Sequence, residues 1–193
     1  MRLVRPNKPR GDQIEFLMCG IAGIIGCAEQ DRVERMTQIM AHRGPNSSGV
    51  QIFADDGVAL GHRRLSILDL SERGHQPMAD PKEQCWITFN GEIYNYRELR
   101  QELETAGFAF RSDTDTEVLL YAYQHWGVAC LQKLDGMFAF AIWDRPRQTL
   151  FAARDRLGIK PFYYHQGDAR LVFASEIKAL FASGLVPDRK SVV

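Results

Sequence analysis

The sequence predicts an α+β fold in which antiparallel sheets are covered by helices. Two observations lead to this prediction. Strand-like segments follow one another in pairs joined by turn signals, and helical segments are inserted together between those pairs. A doubly wound parallel sheet would instead need single strands that alternate with single helices. The 193 residues, 45% apolar and 25% charged, fit one soluble globular domain.

The first core element is predicted to be a buried strand over residues 19–27, an apolar segment whose glycines let another backbone or a ligand come close. A helix follows this strand. Asp31 can cap the start of the helix, and Gly44-Pro45 ends its pattern. The apolar face of this helix is predicted to consist of Val33, Met36, Ile39 and Met40.

Three hairpins are predicted from alternating segments that flank turn residues. They pair residues 50–53 with 58–60, 137–144 with 149–154, and 162–164 with 171–174. Their turns are expected at Asp56-Gly57, at residues 145–147 and at Gly167-Asp168. A further strand over residues 85–89 is predicted to lead into a turn at Asn90-Gly91-Glu92.

Three more helices are predicted from apolar spacing and end signals. Residues 96–106 carry leucines four apart and stop at Gly107. Thr114 and Glu117 form a capping box in front of the next helix, which carries Val118, Ala122 and Trp126. A short helix over residues 175–182 closes the pattern.

Charge and cysteine usage narrow the classes of function. Lys plus Arg and Asp plus Glu are each 24, so no net field favours binding to nucleic acid or to an anionic membrane. No apolar run approaches the ~20 residues of a membrane-spanning helix. The four cysteines are widely separated, which indicates neither a disulfide framework nor a metal site. A reducing, cytoplasmic location is therefore expected.

Residues 1–17 form a basic segment with two prolines and no periodic apolar face, which is typical of a flexible arm. The segment lacks the apolar core of a secretory signal. Because Met18 follows directly, residues 1–18 are interpreted as a flexible leader or as the product of a start assigned too far upstream.

Met18-Cys19-Gly20 is the strongest candidate for chemistry. Removal of everything through Met18 would leave Cys19 with a free α-amine, whose ordinary pKa is ~7.7–8.0, beside a thiol of pKa ~8.5. One residue would then supply both nucleophile and proton acceptor, and no histidine partner would be required. The alternative is that Cys19 is a small buried apolar residue, as a lone cysteine in a strand usually is.

Other polar residues fit an acyl-transfer site. The Asn90 side-chain amide and the Gly91 backbone N–H could stabilise a developing oxyanion. Arg64 and Asp115 could bind the carboxylate and the ammonium of an α-amino acid. Each also has an ordinary explanation: a surface charge for Arg64, a simple turn for Asn90-Gly91, and a favourable first-turn charge for Asp115.

Six motifs in order make the chain resemble a known family. They are Met18-Cys19-Gly20-Ile21-Ala22-Gly23, His42-Arg43-Gly44-Pro45, His62-Arg63-Arg64-Leu65-Ser66-Ile67, Phe89-Asn90-Gly91-Glu92-Ile93-Tyr94-Asn95, Thr114-Asp115-Thr116-Glu117 and Arg154-Asp155-Arg156-Leu157-Gly158-Ile159. Together they resemble the class II glutamine amidotransferase domain of the glutamine-dependent asparagine synthetase family, over residues 19–185.

The resemblance implies an N-terminal-nucleophile hydrolase, an αββα sandwich with two stacked antiparallel sheets between helix layers. It assigns catalysis to Cys19, Asn90 and Gly91. It assigns binding of L-glutamine to Arg64, Leu65, Ile67, Glu92 and Asp115. In this scheme Cys19 attacks the glutamine side-chain amide, ammonia leaves as a γ-glutamyl thioester forms, and water releases glutamate.

The chain departs from the family pattern in two ways. Asn46 follows His-Arg-Gly-Pro where the family usually has Asp, and the Ser-Gly-Gly-x-Asp-Ser loop of the synthetase domain is missing. Residues 186–193 are therefore expected to begin a linker to a synthetase domain that would use ATP and Mg²⁺, while the present domain needs no cofactor. A homodimer is one expectation for assembly.

Two alternatives to asparagine synthesis remain open. A related amidotransferase could pass ammonia to another acceptor, such as a sugar, a purine precursor or an antibiotic precursor. The chain could also be a non-catalytic glutamine-binding module, if Cys19 never becomes N-terminal.

Overall fold

The computed structural model describes residues 18–65 and 74–187, which form a four-layered αββα sandwich. The first sheet has the order β2-β3-β1-β9-β8 and the second has the order β4-β5-β6-β7, with every pairing antiparallel. The first sheet contains β1 (Gly20–Ile25), β2 (Ser47–Phe53), β3 (Val58–Arg64), β8 (Tyr163–Gly167) and β9 (Arg170–Ala174). The second contains β4 (Met78–Ala79), β5 (Cys85–Ile93), β6 (Gly136–Asp144) and β7 (Thr149–Arg154). The predicted α+β class is confirmed.

Helices cover the outer face of each sheet. α1 (Gln30–Ile39) and α4 (Ile177–Ala182) pack on the first sheet, and α2 (Tyr96–Thr105) and α3 (Asp115–Trp126) pack on the second. A 3₁₀ helix, Gly127–Gln132, follows α3 and was not predicted. α1 buries one apolar face against the first sheet, whereas α3 is buried at every position from Asp115 to Tyr123 because it packs against both β5 and α2.

Strand alternation fills the space between the sheets. The core there consists of Ile21, Phe53, Val58, Leu60, Ala139, Ala141, Trp143 and Phe173. The intervening residues of β1, Ala22 and Ile24, point instead to the α1 side. Gly23 is needed on the inner face, because a Cβ there would lie 2.3 Å from the Phe173 ring.

The predicted turn at Asn90-Gly91-Glu92 is wrong, because β5 continues without a break to Ile93. Asn90 pairs with Ala139, Gly91 with Phe138 and Glu92 with Met137. A Cβ on Gly91 would lie 2.3 Å from the Met137 carbonyl oxygen, so glycine here permits close strand pairing. Asn-Gly commonly occurs in hairpin turns, and local sequence cannot distinguish that use from this one.

Helix ends show two smaller differences. α1 has Glu29 as its N-cap residue, so the predicted cap at Asp31 is wrong and Asp31 lies in the first turn. Ile39, predicted on the apolar face, is 41% exposed. At α3 the Thr114 hydroxyl accepts from the Glu117 N–H at 3.3 Å, as a capping box predicts.

The Glu117 carboxylate does not complete that box. It accepts instead from the backbone N–H of Arg111 and of Ser112 and from the Ser112 hydroxyl. This acid therefore fixes the loop in front of α3.

The hairpins form where predicted, with one shift. The tight turn between β8 and β9 is centred on Asp168 and Ala169, whose φ values of 49° and 58° are typical of a type I′ hairpin. The predicted centre at Gly167-Asp168 is thus one residue early.

Ile67 and residues 1–17 and 188–193 lie outside the described residues.

Candidate active site

Strand alternation brings the predicted residues to one end of the inter-sheet space. On β3, Val58 and Leu60 face the second sheet, and Arg64 shares their face by its even spacing. On β5, Trp86 faces the first sheet, so Asn90 and Glu92 share that face. Cys19 immediately precedes β1. The sequence places these residues far apart, and the two sheets bring them together.

The Cys19 thiol is held at the end of β3. Its sulfur lies 3.3 Å from the Leu65 N–H and 3.6 Å from the Leu65 carbonyl oxygen. The backbone carbonyl of Cys19 accepts from Arg43 Nε at 3.0 Å. Burial raises the pKa of the thiol, whereas the Leu65 N–H, Arg64 and Lys160 oppose this rise. The nucleophile is therefore fixed in place but mostly a thiol, so it needs a nearby base.

β5 presents hydrogen-bond donors to the same region. The Phe89 N–H donates to Gln76 Oε1 at 2.6 Å, and the Ile93 N–H donates to Asp115 Oδ2 at 3.0 Å. Alternate amides of a strand point to the same edge, so the Gly91 N–H points there too, between them. Asn90 is 1% exposed, and its Nδ2 has no hydrogen-bond partner among the residues that the structure describes.

Asp115 lies at the start of α3 and is 5% exposed. Burial raises the pKa of its carboxyl to about 6, the Ile93 and Thr116 amides oppose the rise, and Glu92 adds to it. Within residues 18–65 and 74–187, no lysine or arginine forms an ion pair with Asp115. A buried acid of this kind favours binding of an external cation.

Arg64 lies against Gly74, where a Cβ would meet Arg64 Nη2 at 2.2 Å. The same Cβ position is 3.3 Å from Thr114 Cγ2, so the guanidinium extends toward the start of α3. Asn46 is exposed, and its backbone N–H donates to the Arg64 carbonyl at 3.1 Å. This contact does not depend on a charge at position 46.

These groups border one cavity of about 670 Å³. Of the predicted site residues, it is lined by Cys19, Arg64, Leu65, Asn90, Gly91, Glu92 and Asp115. Ile67 lies outside the described residues, so its role stays a prediction. A volume of this order accommodates a small polar metabolite.

Three further residues of the site were not predicted individually. Arg43, 8% exposed, holds the Cys19 carbonyl; Gln76, 5% exposed, holds the Phe89 N–H; and Lys160, 7% exposed, lines the cavity. Arg43 lies inside a recognised motif, and Lys160 directly follows another. Burial of a charged residue, which would have identified both, is not visible in sequence.

A larger groove, of about 850 Å³, lies between β2 and β4 and contains none of the predicted site residues. Its buried acid, Glu117, is already satisfied by three donors of the preceding loop. Chemistry therefore favours the smaller cavity over the larger one.

Residues 18–65 and 74–187 contain no group of three or more His, Cys, Asp or Glu side chains that could hold a metal ion. None of the helices described is long and apolar enough to cross a bilayer.

The chain is similar to known proteins in sequence and in fold. A model of the glutamine amidotransferase domain matches residues 18–192. The chain is 46% identical over 173 residues to asparagine synthetase [glutamine-hydrolyzing] 1 of Bacillus subtilis (strain 168), which covers 86% of this chain and 27% of that protein. It is 39% identical over 185 residues to Amidase chry2 of Gibberella zeae, covering 89% of this chain and 27% of that protein.

Among solved structures, the chain is similar to glutamine phosphoribosylpyrophosphate amidotransferase from B. subtilis complexed with ADP and GMP. The TM-score is 0.71 at 24% identity, covering 86% of this chain and 44% of the other. This likeness supports the fold and confirms the predicted sandwich. The chain spans about a quarter of the length of the curated relatives that it matches.

Proposed function

The chain belongs to the glutamine amidotransferase domain family, and we propose that it hydrolyses the side-chain amide of L-glutamine at Cys19. One observation carries the proposal. The Cys19 thiol shares a cavity with a buried Asn90 amide whose Nδ2 has no partner among the described residues, and with the outward-facing Gly91 N–H. A nucleophile beside two donors is the arrangement that acyl transfer requires.

We propose that residues 1–18 are removed before catalysis. In the intact chain the Cys19 nitrogen is part of the peptide bond to Met18 and cannot accept a proton. As a free α-amine it would have a pKa near ~7.7–8.0 and could take the proton of the adjacent thiol. The high pKa of the buried thiol makes such a base necessary.

The substrate is proposed to lie with its ends bound by opposite charges. Arg64 would bind the α-carboxylate, and Asp115 with Glu92 would bind the α-ammonium, because these charged side chains line the same cavity. Leu65 would line the pocket through its backbone. The ammonium would also supply the cation that the Asp115 carboxylate lacks among its described neighbours.

The reaction then has two steps. Cys19 Sγ attacks the amide carbon, the oxyanion is held by Asn90 Nδ2 and the Gly91 N–H, and the C–N bond breaks as the α-ammonium of Cys19 protonates the departing nitrogen. The products of this step are ammonia and a γ-glutamyl thioester. Water, activated by the same amine, attacks the thioester and releases glutamate.

The wider reaction is a proposal as well. We infer that the domain occupies residues 19–185, that residues 186–193 begin a connection to an ATP- and Mg²⁺-dependent synthetase domain, and that aspartate is the acceptor of the ammonia. The name of the B. subtilis relative supports this choice, whereas the name of Amidase chry2 keeps another acceptor open. A cytoplasmic location, expected from the widely separated cysteines, is proposed as well, and so is a homodimer.

The proposal is tested with versions that start at Cys19. Cys19→Ala should abolish release of glutamate and ammonia, since no other described cysteine lies in the cavity. Cys27→Ala, just beyond the far end of β1, is the matched control and should cost stability alone, on the order of 1–3 kcal/mol at most. Persistent turnover in Cys19→Ala would refute the proposal, as would loss of turnover in a folded Cys27→Ala.

A further inference from the structure

Lys160 is a buried cation next to the residue that precedes the nucleophile. It lies in the connection between β7 and β8, is 7% exposed, and lines the cavity that contains Cys19. Its Nζ lies 3.3 Å from Met18 Sδ. Sulfur is a weak acceptor, so this contact compensates little of the cost of burying an ammonium.

The backbone around Lys160 holds this position firmly. The Asp155 carboxylate accepts from the N–H groups of Ile159 and Lys160 at 2.8 and 2.9 Å, and Arg154 Nε donates to the Lys160 carbonyl at 2.6 Å. The Asp155 carboxylate also accepts from the Phe138 N–H on β6. These hydrogen bonds fix the backbone at Lys160, so the loop holds the lysine side chain in the cavity.

Charges of both signs face this region. Among the residues that the structure describes, its cations are Arg43, Arg64 and Lys160, and its acids are Glu92, Asp115 and Asp155. Burial lowers the pKa of Lys160, Arg43 lowers it further, and the Cys19 thiol, Glu92 and Asp155 oppose the change. The positive charge of Lys160 in turn opposes the rise that burial causes in the pKa of the Cys19 thiol. The two residues therefore interact electrostatically across the cavity.

This inference rests on the proposed function. We propose that Lys160 keeps the new α-amine of Cys19 unprotonated at neutral pH, because loss of Met18 leaves the Lys160 ammonium facing the new amino terminus. A second positive charge beside Lys160 is unfavourable, so the amine gives up its proton more readily and can accept one from the thiol. The proton moves from Sγ to the amine of the same residue, and Lys160 itself exchanges none.

The test is the pH profile of versions that begin at Cys19. Lys160→Met keeps the length and removes the charge, Lys160→Arg keeps the charge, and Lys133→Met is a control on a lysine that pairs with Glu102 outside the cavity. In Lys160→Met the acidic limb of kcat/KM for glutamine hydrolysis should move up by about one pH unit. Lys160→Arg and Lys133→Met should leave the limb in place.

A second readout is independent of glutamine. The rate at which iodoacetamide alkylates Cys19, followed by mass spectrometry, should shift to higher pH in Lys160→Met and not in Lys133→Met. Because Lys160 also acts directly on the thiol, the same alkylation is measured on the chain that retains residues 1–18, in which Cys19 has no free amine. A shift that is larger in the version beginning at Cys19 supports the role of Lys160 even if glutamine is not hydrolysed by the wild-type chain, in which case only the proposed function fails. An equal shift in both versions would overturn the inference.

An unmoved acidic limb in a folded Lys160→Met would overturn the inference. Unchanged kcat with a raised KM would identify Lys160 as a substrate-binding residue instead, which would also overturn it. Should Lys160→Met not fold, Lys160→Gln removes the same charge while keeping a polar end, and the same outcomes would support or overturn the inference.

Discussion

Asp115 and Asp144 are two buried carboxylates at opposite ends of β5, and their surroundings differ. Asp144, 1% exposed, accepts from the Tyr123 hydroxyl at 2.9 Å and from Arg147 Nη1 at 2.7 Å. Burial alone would raise the pKa of Asp144, but the hydrogen bonds from Arg147 and Tyr123 hold it below its ordinary value. Asp115 has no cation within ion-pair distance among the described residues, and burial raises its pKa to about 6.

On our proposal, Asp144 serves the fold and Asp115 serves the ligand. The charge of Asp144 is satisfied within the chain, so it contributes to stability. The charge of Asp115 costs stability until a cation binds it. The cavity end of the sandwich is thus the end where polar groups remain available, Asn90 Nδ2 included.

After Cys19, the largest effect on turnover is expected at Asn90. Asn90→Ala removes a donor directed at the developing oxyanion, so kcat should fall by roughly 10²–10³ with a much smaller change in KM. Steady-state kinetics of glutamine hydrolysis measures both. A raised KM with kcat unchanged would make Asn90 a binding residue and would remove it from the oxyanion hole.

Exchanging each acid for its amide tests whether Asp115 and Asp144 have different roles. Asp115→Asn should weaken glutamine binding by roughly 10–100-fold, because it removes a charge-assisted hydrogen bond to the ammonium. Asp144→Asn should leave binding unchanged and destabilise the fold by about 1–3 kcal/mol. Calorimetry in a Cys19→Ala background gives the affinities. Weakened binding in Asp144→Asn would show that Asp144 does not act on the fold alone.

The two acids should also give opposite pH dependences. The folded pKa of Asp115, about 6, is above its unfolded value of 3.8, so its contribution to stability is full below pH 3.8 and is lost as pH rises through 6. Asp144 has a lowered folded pKa, so its contribution is present above the unfolded value and is lost in more acidic solution.

Denaturant unfolding measures this difference. Asp115→Asn should be more stable than the wild type above pH 6, by on the order of 2–3 kcal/mol. Asp144→Asn should be less stable in the same range. Equal pH profiles for the two variants would show that the surroundings of the two carboxylates do not differ as described.

The smallest effect is expected for Arg64→Lys. The charge remains, but the planar fork that can bind a carboxylate through two parallel hydrogen bonds is lost, so KM should rise by about tenfold at most. A fall in kcat with KM unchanged would move Arg64 from substrate binding to catalysis.

Much of the fold could be predicted from local signals. The hairpin between β2 and β3 follows from Asp56-Gly57 and two alternating segments, and α3 follows from the Thr114 cap. The error at Asn90-Gly91 arose because the strand pairing of Gly91 with Phe138 is a long-range contact that local turn statistics do not contain. The register of such a strand pair depends on how closely the two backbones approach, which is visible only in the folded chain.

The sequence motifs selected residues that the structure places around one cavity, but the sequence does not show their arrangement. The motifs identified Cys19, Arg64 and Asp115, but their convergence requires that β5 be continuous, so that Asn90 faces the first sheet. Lys160 and Gln76 were not predicted, because burial and side-chain direction, and not residue type, make them part of the cavity.

On our proposal, the α-amine of Cys19 is the base of the reaction. The direct measurement compares the chain starting at Met1 with a version starting at Cys19, each with its mass confirmed, for ammonia release from glutamine. The version starting at Cys19 should be active and the chain starting at Met1 should show negligible release, because an amide nitrogen cannot accept the thiol proton. Equal release from both, with residues 1–18 still attached, would contradict the claim.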